Sequence, residues 1–231
     1  MNNSERAITW AKQNRKAFVE NFIAESGVVP TETPSAVFMA GLPGSGKTEL
    51  SRRLIETYHI AMIRIDMDEI AEQIPGYLPE NADEYRGAAS LLMDELLNHI
   101  FHHQLDFLLD GTFGSPKAVA NIRRASDHGY ATKIVYALQD PKLAWDFTRA
   151  REKIEHRAIE FDGFVETYFK IRSNFKKLKT TNINYTLDIS IKDMGNQESQ
   201  YHDAARLKLL DELAFKYYTK NSLIEHIKGK E

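Results

Sequence analysis

Apolar positions along this chain change their period several times, and each change predicts an element. Over residues about 5–25, Ile8, Ala11, Phe18, Val19, Phe22 and Ile23 recur at helical spacing, and Gly27 ends that helix. Val28-Val29-Pro30-Thr31-Glu32-Thr33-Pro34 reads as an extended connector. The short run Ala36–Ala40 predicts a buried strand, Glu49–Ile55 returns to helix, and Ile60–Asp66 predicts a second strand. A long helix follows over Ala82–His103, with Ala88, Leu91, Leu92, Leu96 and Ile100 on one side. Leu105–Asp110 is a third strand ending in a carboxylate. A helix around Pro116–Asp127 leads through Gly129 to a fourth strand, Lys133–Leu138. Strands alternating with helices imply right-handed crossovers and a mostly parallel sheet, an α/β fold.

From Pro141 the pattern is helical and charged. Ile183–Ile189 alternates with period two, the mark of a half-buried edge or final strand, and the chain from about Glu198 is helical in composition. The organisation expected is an N-terminal helical segment over 1–30, a core over 34–191 and a helical C-terminal extension over 192–231. Composition adds limits. A chain of 231 residues, 42 % hydrophobic and 27 % charged, suits one α/β domain with helical additions. With 30 basic against 33 acidic residues it carries no nucleic-acid footprint. The absence of cysteine excludes disulfides and thiolate metal sites. The N-terminal residues lead into no apolar signal region and no run reaches membrane-spanning length, so the expectation is a cytoplasmic protein.

Between the first strand and the helix after it lies Gly41-Leu42-Pro43-Gly44-Ser45-Gly46-Lys47-Thr48, a complete G-x-x-x-x-G-K-[ST] phosphate-binding loop. Its glycines let successive backbone N–H groups turn inward around nucleotide phosphates. Lys47 reaches the β- and γ-phosphates, and the Thr48 hydroxyl holds Mg²⁺. Strand, loop and helix form the context that confirms the motif, so the chain is expected to bind a nucleoside triphosphate, with ATP and Mg²⁺ as the natural pair. The sheet is then of the P-loop NTPase type, flanked by helices.

Ligands of an open parallel sheet bind beyond the carboxyl ends of its strands. The second strand ends Asp66-Met67-Asp68 and the third Asp110-Gly111-Thr112, which brings these groups to the edge that carries the P-loop. Transfer of a phosphoryl group to an alcohol needs a base near the incoming hydroxyl and cations on the equatorial oxygens. Asp68, past the strand end, is the candidate base. Asp66 is placed to orient the loop or to reach the Mg²⁺ shell, and either acid could instead cap the helix starting near Glu69. Asp110 sits where a Walker-B type acid holds Mg²⁺ through water, with Thr112 toward acceptor or phosphate; an ordinary Asp-Gly turn is the plain alternative. On the helix after Pro141, Leu143, Phe147, Ala150 and Ile154 form one stripe, flanked by Arg151 and Arg157, the candidate cations for a bound triphosphate. A solvated helix with Arg–Glu pairs would look the same. His99 and His103 have metal-ligand spacing but no carboxylate to complete a motif, and Arg172, Lys176, Lys177 and Lys179 read as a solvated basic face.

The P-loop, Ile65-Asp66-Met67-Asp68, Asp110-Gly111-Thr112, Pro75 and the two arginines together resemble the zeta-toxin family of bacterial kinases, over about Pro34–Leu178 with a helix before the loop. The resemblance implies an ATP- and Mg²⁺-dependent kinase that phosphorylates a sugar hydroxyl of UDP-N-acetylglucosamine, starves cell-wall synthesis and is held off by an antitoxin. It implies Asp68 as general base, Lys47, Arg151 and Arg157 as charge stabilisers, Asp110 and Thr112 in the nucleotide and acceptor site, and Asp94 as an acidic substrate contact. Departures from the family pattern fall on the acceptor side. Asp-Gly-Thr stands for the usual Glu-Gly-Thr and is followed by Phe113-Gly114 rather than an arginine, and Ile74 precedes Pro75 where a histidine is common. A polynucleotide-end kinase and a non-catalytic nucleotide-binding regulatory module are the competing readings, beside a P-loop kinase for another small metabolite. The first requires salt-sensitive oligonucleotide binding, the second nucleotide binding that survives Asp68→Asn without phosphoryl transfer.

Overall fold

In the structure, a computed structural model, residues 2–57, 61–155, 159–192, 198–202, 210, 214 and 218–229 are described. Helix α1 (Asn3–Ser26) starts with Asn2 and Glu5 in a reciprocal capping box and ends at Gly27 in the left-handed region, φ 64°. There follow β1 (Ser35–Ala40), α2 (Lys47–Thr57), β2 (Ile63–Asp66), α3 (Met67–Glu72), a 3-10 turn (Pro79–Asn81), α4 (Ala82–His103) and β3 (Phe107–Asp110). The chain continues with α5 (Ala118–Asp127), β4 (Ala131–Leu138), α6 (Pro141–Glu155), α7 (Phe161–Lys179), β5 (Thr186–Lys192), β6 (Glu198–His202) and α8 (Lys220–Lys228). Among the described residues the strands form one six-stranded sheet in the order β2-β3-β1-β4-β5-β6, parallel throughout except for β6.

Strand alternation sends the side chains to two unlike faces. Ala36, Phe38, Ile63, Ile65, Phe107, Ile134, Tyr136, Leu187 and Ile189 join α1, α4, α5, α7 and α8 in one large core. On the opposite face Met39, Leu108, Val135 and Ala137 pack with Leu50, Leu54 and Ile55 of α2 in a small second cluster. The same face carries Arg64, Asp66, Asp110, Lys133 and Asp188 by alternation, and a groove of about 770 Å³ opens beside α2 over Val37, Leu108 and Val135.

Two expectations are corrected. Glu198–His202, read as the start of a helical extension, is an antiparallel edge strand in register with β5, Asp188 opposite His202 and Lys192 opposite Glu198. An edge strand is held by its ladder hydrogen bonds, so the polar sequence Glu-Ser-Gln-Tyr-His needs no buried alternation to adopt it. In consequence β5 is an inner strand, not the edge. The helical part of the extension is borne by α8, whose Leu223 and Ile227 are buried. The second strand is described from Ile63; its expected start at Ile60 lies outside the described residues.

Candidate active site

The phosphate loop connects β1 to α2, and its glycines are forced by geometry rather than by flexibility alone. At Gly41, φ 141°, an added Cβ would lie 2.5 Å from the Ala137 carbonyl oxygen. At Gly44, φ 75°, it would lie 2.1 Å from the Ala144 carbonyl oxygen and 2.6 Å from Thr148 Oγ1, both on α6. Gly46 takes φ 82°. Leu42 is buried, Pro43 and Thr48 are half-buried, and Lys47 folds back so that its Nζ donates to the Leu42 carbonyl at 2.6 Å.

The loop contains groups that fit a phosphate. Ser45 Oγ is buried and, among the described residues, has no hydrogen-bond partner, a costly state for a hydroxyl. Burial also pushes the Lys47 ammonium down to about 8; the positive Arg151 acts in the same direction, while Asp110, Asp66 and Glu49 pull it back. A desolvated lysine beside an orphaned hydroxyl, in a loop of inward-turned glycines, fits an anion.

The carboxylates gather behind Lys47. Register places Asp66 of β2 directly opposite Asp110 of β3. Asp110, buried to 7 % exposure, accepts at Oδ2 from Ser51 Oγ at 2.8 Å and from Arg64 Nη2 at 2.6 Å. Asp66 caps α3: Oδ1 accepts from the Asp68 N–H at 2.9 Å, and Oδ2 accepts from Arg64 Nη2 at 2.8 Å. Burial raises the Asp66 carboxyl to about 6; the Asp68 and Asp110 charges add to this, and the Asp68 N–H and Arg64 oppose it. So one of the two acids does cap the helix, and it is Asp66; Asp68 stands exposed in the first turn of α3. Thr48 and Asp110, a hydroxyl and a carboxylate beside the loop, make an all-oxygen donor set that fits Mg²⁺.

The turn after β3 is stapled to its surroundings. Gly41 N–H donates to the Thr112 carbonyl at 3.2 Å, and Gly114 N–H donates to Thr112 Oγ1 at 3.2 Å. Phe113 holds the left-handed conformation, φ 66°, uncommon for a bulky residue. The buried Asn174 of α7 fixes it by donating Nδ2 to the carbonyls of Phe113 and Ser115, each at 2.8 Å.

The geometry therefore joins Gly41–Thr48, Asp66, Asp110, Thr112 and, through the α3 cap, Asp68. Arg151 lies exposed on α6, and its positive charge adds to the lowering of the Lys47 ammonium. Arg157 lies outside the described residues. Asp94 is engaged elsewhere, paired with Lys117 at the start of α5. The α6 stripe faces outward, with Phe147 and Ile154 51 % and 79 % exposed; the inward side is Ala144 and Thr148. Close approach of α6 to Gly44 explains this, because only small side chains fit against the loop. Sequence reasoning missed Arg64, Ser51, Lys117 and Asn174. The signal for Arg64 was available: within Ile63-Arg64-Ile65-Asp66 it shares the period-two face of Asp66.

Known structures share this fold. A structure from the PezAT chromosomal toxin-antitoxin system of the human pathogen Streptococcus pneumoniae superposes with a TM-score of 0.69 at 17 % identity, covering 94 % of this chain and 98 % of that one. AvrRxo1-ORF1:-ORF2 with ATP gives 0.60 at 11 % identity, covering 94 % and 73 %. At these identities the likeness is one of fold. The curated 2',3'-cyclic-nucleotide 3'-phosphodiesterase of Rattus norvegicus is 29 % identical over 138 residues, 57 % of this chain; the match spans only 30 % of that protein's length. Among the described residues no helix is long and apolar enough to cross a membrane. The family model for Zeta toxin matches residues 21–206, and the chain, a P-loop kinase fold, belongs to the zeta toxin family.

Proposed function

We propose that the chain is an ATP- and Mg²⁺-dependent kinase that transfers the γ-phosphoryl group to a hydroxyl of a nucleotide sugar, UDP-N-acetylglucosamine, as a toxin restrained by an antitoxin protein. The observation that supports the reading is a complete phosphate loop with an orphaned Ser45 hydroxyl and Lys47, tied through Ser51 to the Asp66–Asp110 pair at the adjoining strand ends. Membership of the zeta toxin family supports the acceptor class, and the fold shared with the PezAT toxin-antitoxin system supports the protein partner.

The loop N–H groups, Ser45 and Lys47 bind the phosphates. Thr48 and Asp110 would hold Mg²⁺, which when bound neutralises phosphate charge. Asp68 accepts the proton of the acceptor hydroxyl as its oxygen bonds to the γ-phosphorus and the bond to the β–γ bridging oxygen breaks, leaving ADP. Arg151, with Arg157 as its proposed companion, meets the charge on the equatorial oxygens. Asp66 keeps α3, and with it Asp68, in place. In this scheme Thr112 serves the acceptor, and Asp94 would reach the acceptor only by giving up its pair with Lys117.

The test is transfer of label from γ-labelled ATP with Mg²⁺ to UDP-N-acetylglucosamine. Label on the sugar nucleotide is expected, with the rate in Asp68→Asn lower by at least ~10² and ATP binding within a few-fold. Binding of ATP without transfer to this acceptor refutes the nucleotide-sugar reading and sends the search to other metabolites; binding with no transfer to any acceptor points to a regulatory module.

A further inference from the structure

Arg64 is the unusual residue of this site. It stands in the sheet's outermost strand between two buried isoleucines, on the face that carries Asp66 and Asp110. Its side chain is 13 % exposed, and the guanidinium reaches four groups on four elements. Nη2 meets Asp110 Oδ2 of β3 at 2.6 Å and Asp66 Oδ2 of β2 at 2.8 Å. Nη1 meets Glu69 Oε1 of α3 at 2.6 Å, and Nε lies 3.3 Å from Ser51 Oγ of α2. Only a rigid planar fork can serve these directions together; a lysine ammonium is a point charge that can satisfy one or two.

The pattern of oxygens has a consequence for the metal. Both oxygens of Asp66 are taken, one by the α3 cap and one by Arg64. Both donors to Asp110 converge on Oδ2, so Oδ1 accepts no hydrogen bond among the described residues. On the proposed kinase reading, we infer that Arg64 is a positioning residue: its guanidinium orients Asp110 so that Oδ1 alone serves the Mg²⁺ shell, and its grip on Glu69 sets the first turn of α3, which carries Asp68. Asp66 is then a structural partner of Arg64 and a helix cap, not a metal contact.

The competing account is a rivet that adds stability and nothing more. Arg64→Lys separates the two, because it keeps the charge and loses the fork. The readout is ATP binding by calorimetry across a Mg²⁺ series, which needs no turnover and so stands even if UDP-N-acetylglucosamine proves not to be the acceptor. The expected result is a Mg²⁺ midpoint raised about tenfold, the size usual for partners that orient metal ligands. In the labelled-ATP assay, kcat should fall about tenfold or more with the KM for ATP nearly unchanged. A wild-type midpoint overturns the inference, as does a midpoint that moves only with a fall in melting temperature. If Arg64→Lys does not fold, two milder variants carry the test. Ser51→Ala removes the second donor to Asp110 and should raise the midpoint about threefold, whereas Glu69→Gln frees α3 and should lower kcat while leaving the midpoint in place. The same midpoint in Ser51→Ala and wild type overturns the role assigned to Asp110.

Discussion

The two faces of the sheet are built on opposite terms. One is covered by α1, α4, α5, α7 and α8 around Phe107, Phe164, Phe175, Leu92 and Leu96, all under 2 % exposed. The other has a small apolar cluster under α2 and, along the strand ends, Arg64, Asp66 and Asp110. Charges within strands survive there because Arg64 pairs with both Asp66 and Asp110 and α2 supplies Ser51 as a further partner. The thick face makes the protein stable; the thin face, free of the demand for apolar continuity, holds the groups that can do chemistry.

Four measurements would break or sharpen that division. The largest effect is expected from Lys47→Ala, which removes the central cation and should abolish phosphoryl transfer while the melting temperature stays close to wild type. Near-wild-type turnover would show that the thin face is not the site. Next is Phe107→Ala on the thick face, where the ring packs edge-on against Phe38, Phe101 and Tyr130. It should cost about 3–5 kcal/mol in denaturant unfolding, against less than about 2 kcal/mol for Leu54→Ala under α2. Equal losses would erase the distinction. Arg151→Ala should then lower the transfer rate by about 10² while changing ATP affinity only a few-fold, since its charge matters most as transfer proceeds; a loss confined to affinity would reassign it to binding.

The smallest effect is one of pH. Burial holds Lys47 near 8, below its unfolded value of 10.5. Between those values the unfolded chain binds more protons at this group than the folded one, so its contribution to the stability of the nucleotide-free protein rises with pH across that window. Nucleotide binding runs the other way, because phosphates call for the ammonium. ATP affinity should fall by up to about tenfold per pH unit above 8, with proton uptake visible as a dependence of the calorimetric heat on buffer. A flat affinity from pH 7 to 9 would mean that Lys47 keeps its proton in the free protein.

What the sequence disclosed follows the same division. The thick face was legible because apolar periodicity reports burial: α4 was expected over Ala82–His103 and lies there, and Gly27 caps α1. The P-loop was legible because its glycines answer to close backbone approach. Illegible were the features with no periodic signature. β6 is held by its ladder. Arg64 is explained only by acids on other elements. The α6 stripe turned outward because Gly44 demands small residues opposite it, a constraint that lies about a hundred positions away in the chain.

That contact with Gly44 has a mechanical side. Asp140 accepts at Oδ1 from the N–H groups of Lys142 and Leu143 at the start of α6, and its Oδ2 meets His226 Nε2 of α8 at 2.7 Å. The opening turns of α6 are thus clamped between the P-loop on one side and the last described helix on the other. A swing of the whole helix would lift Ala144 off the loop and break the Asp140 cap together. These contacts hold α6 as far as Thr148, and the part of the helix beyond it, which carries Arg151, is the part that neither contact restrains.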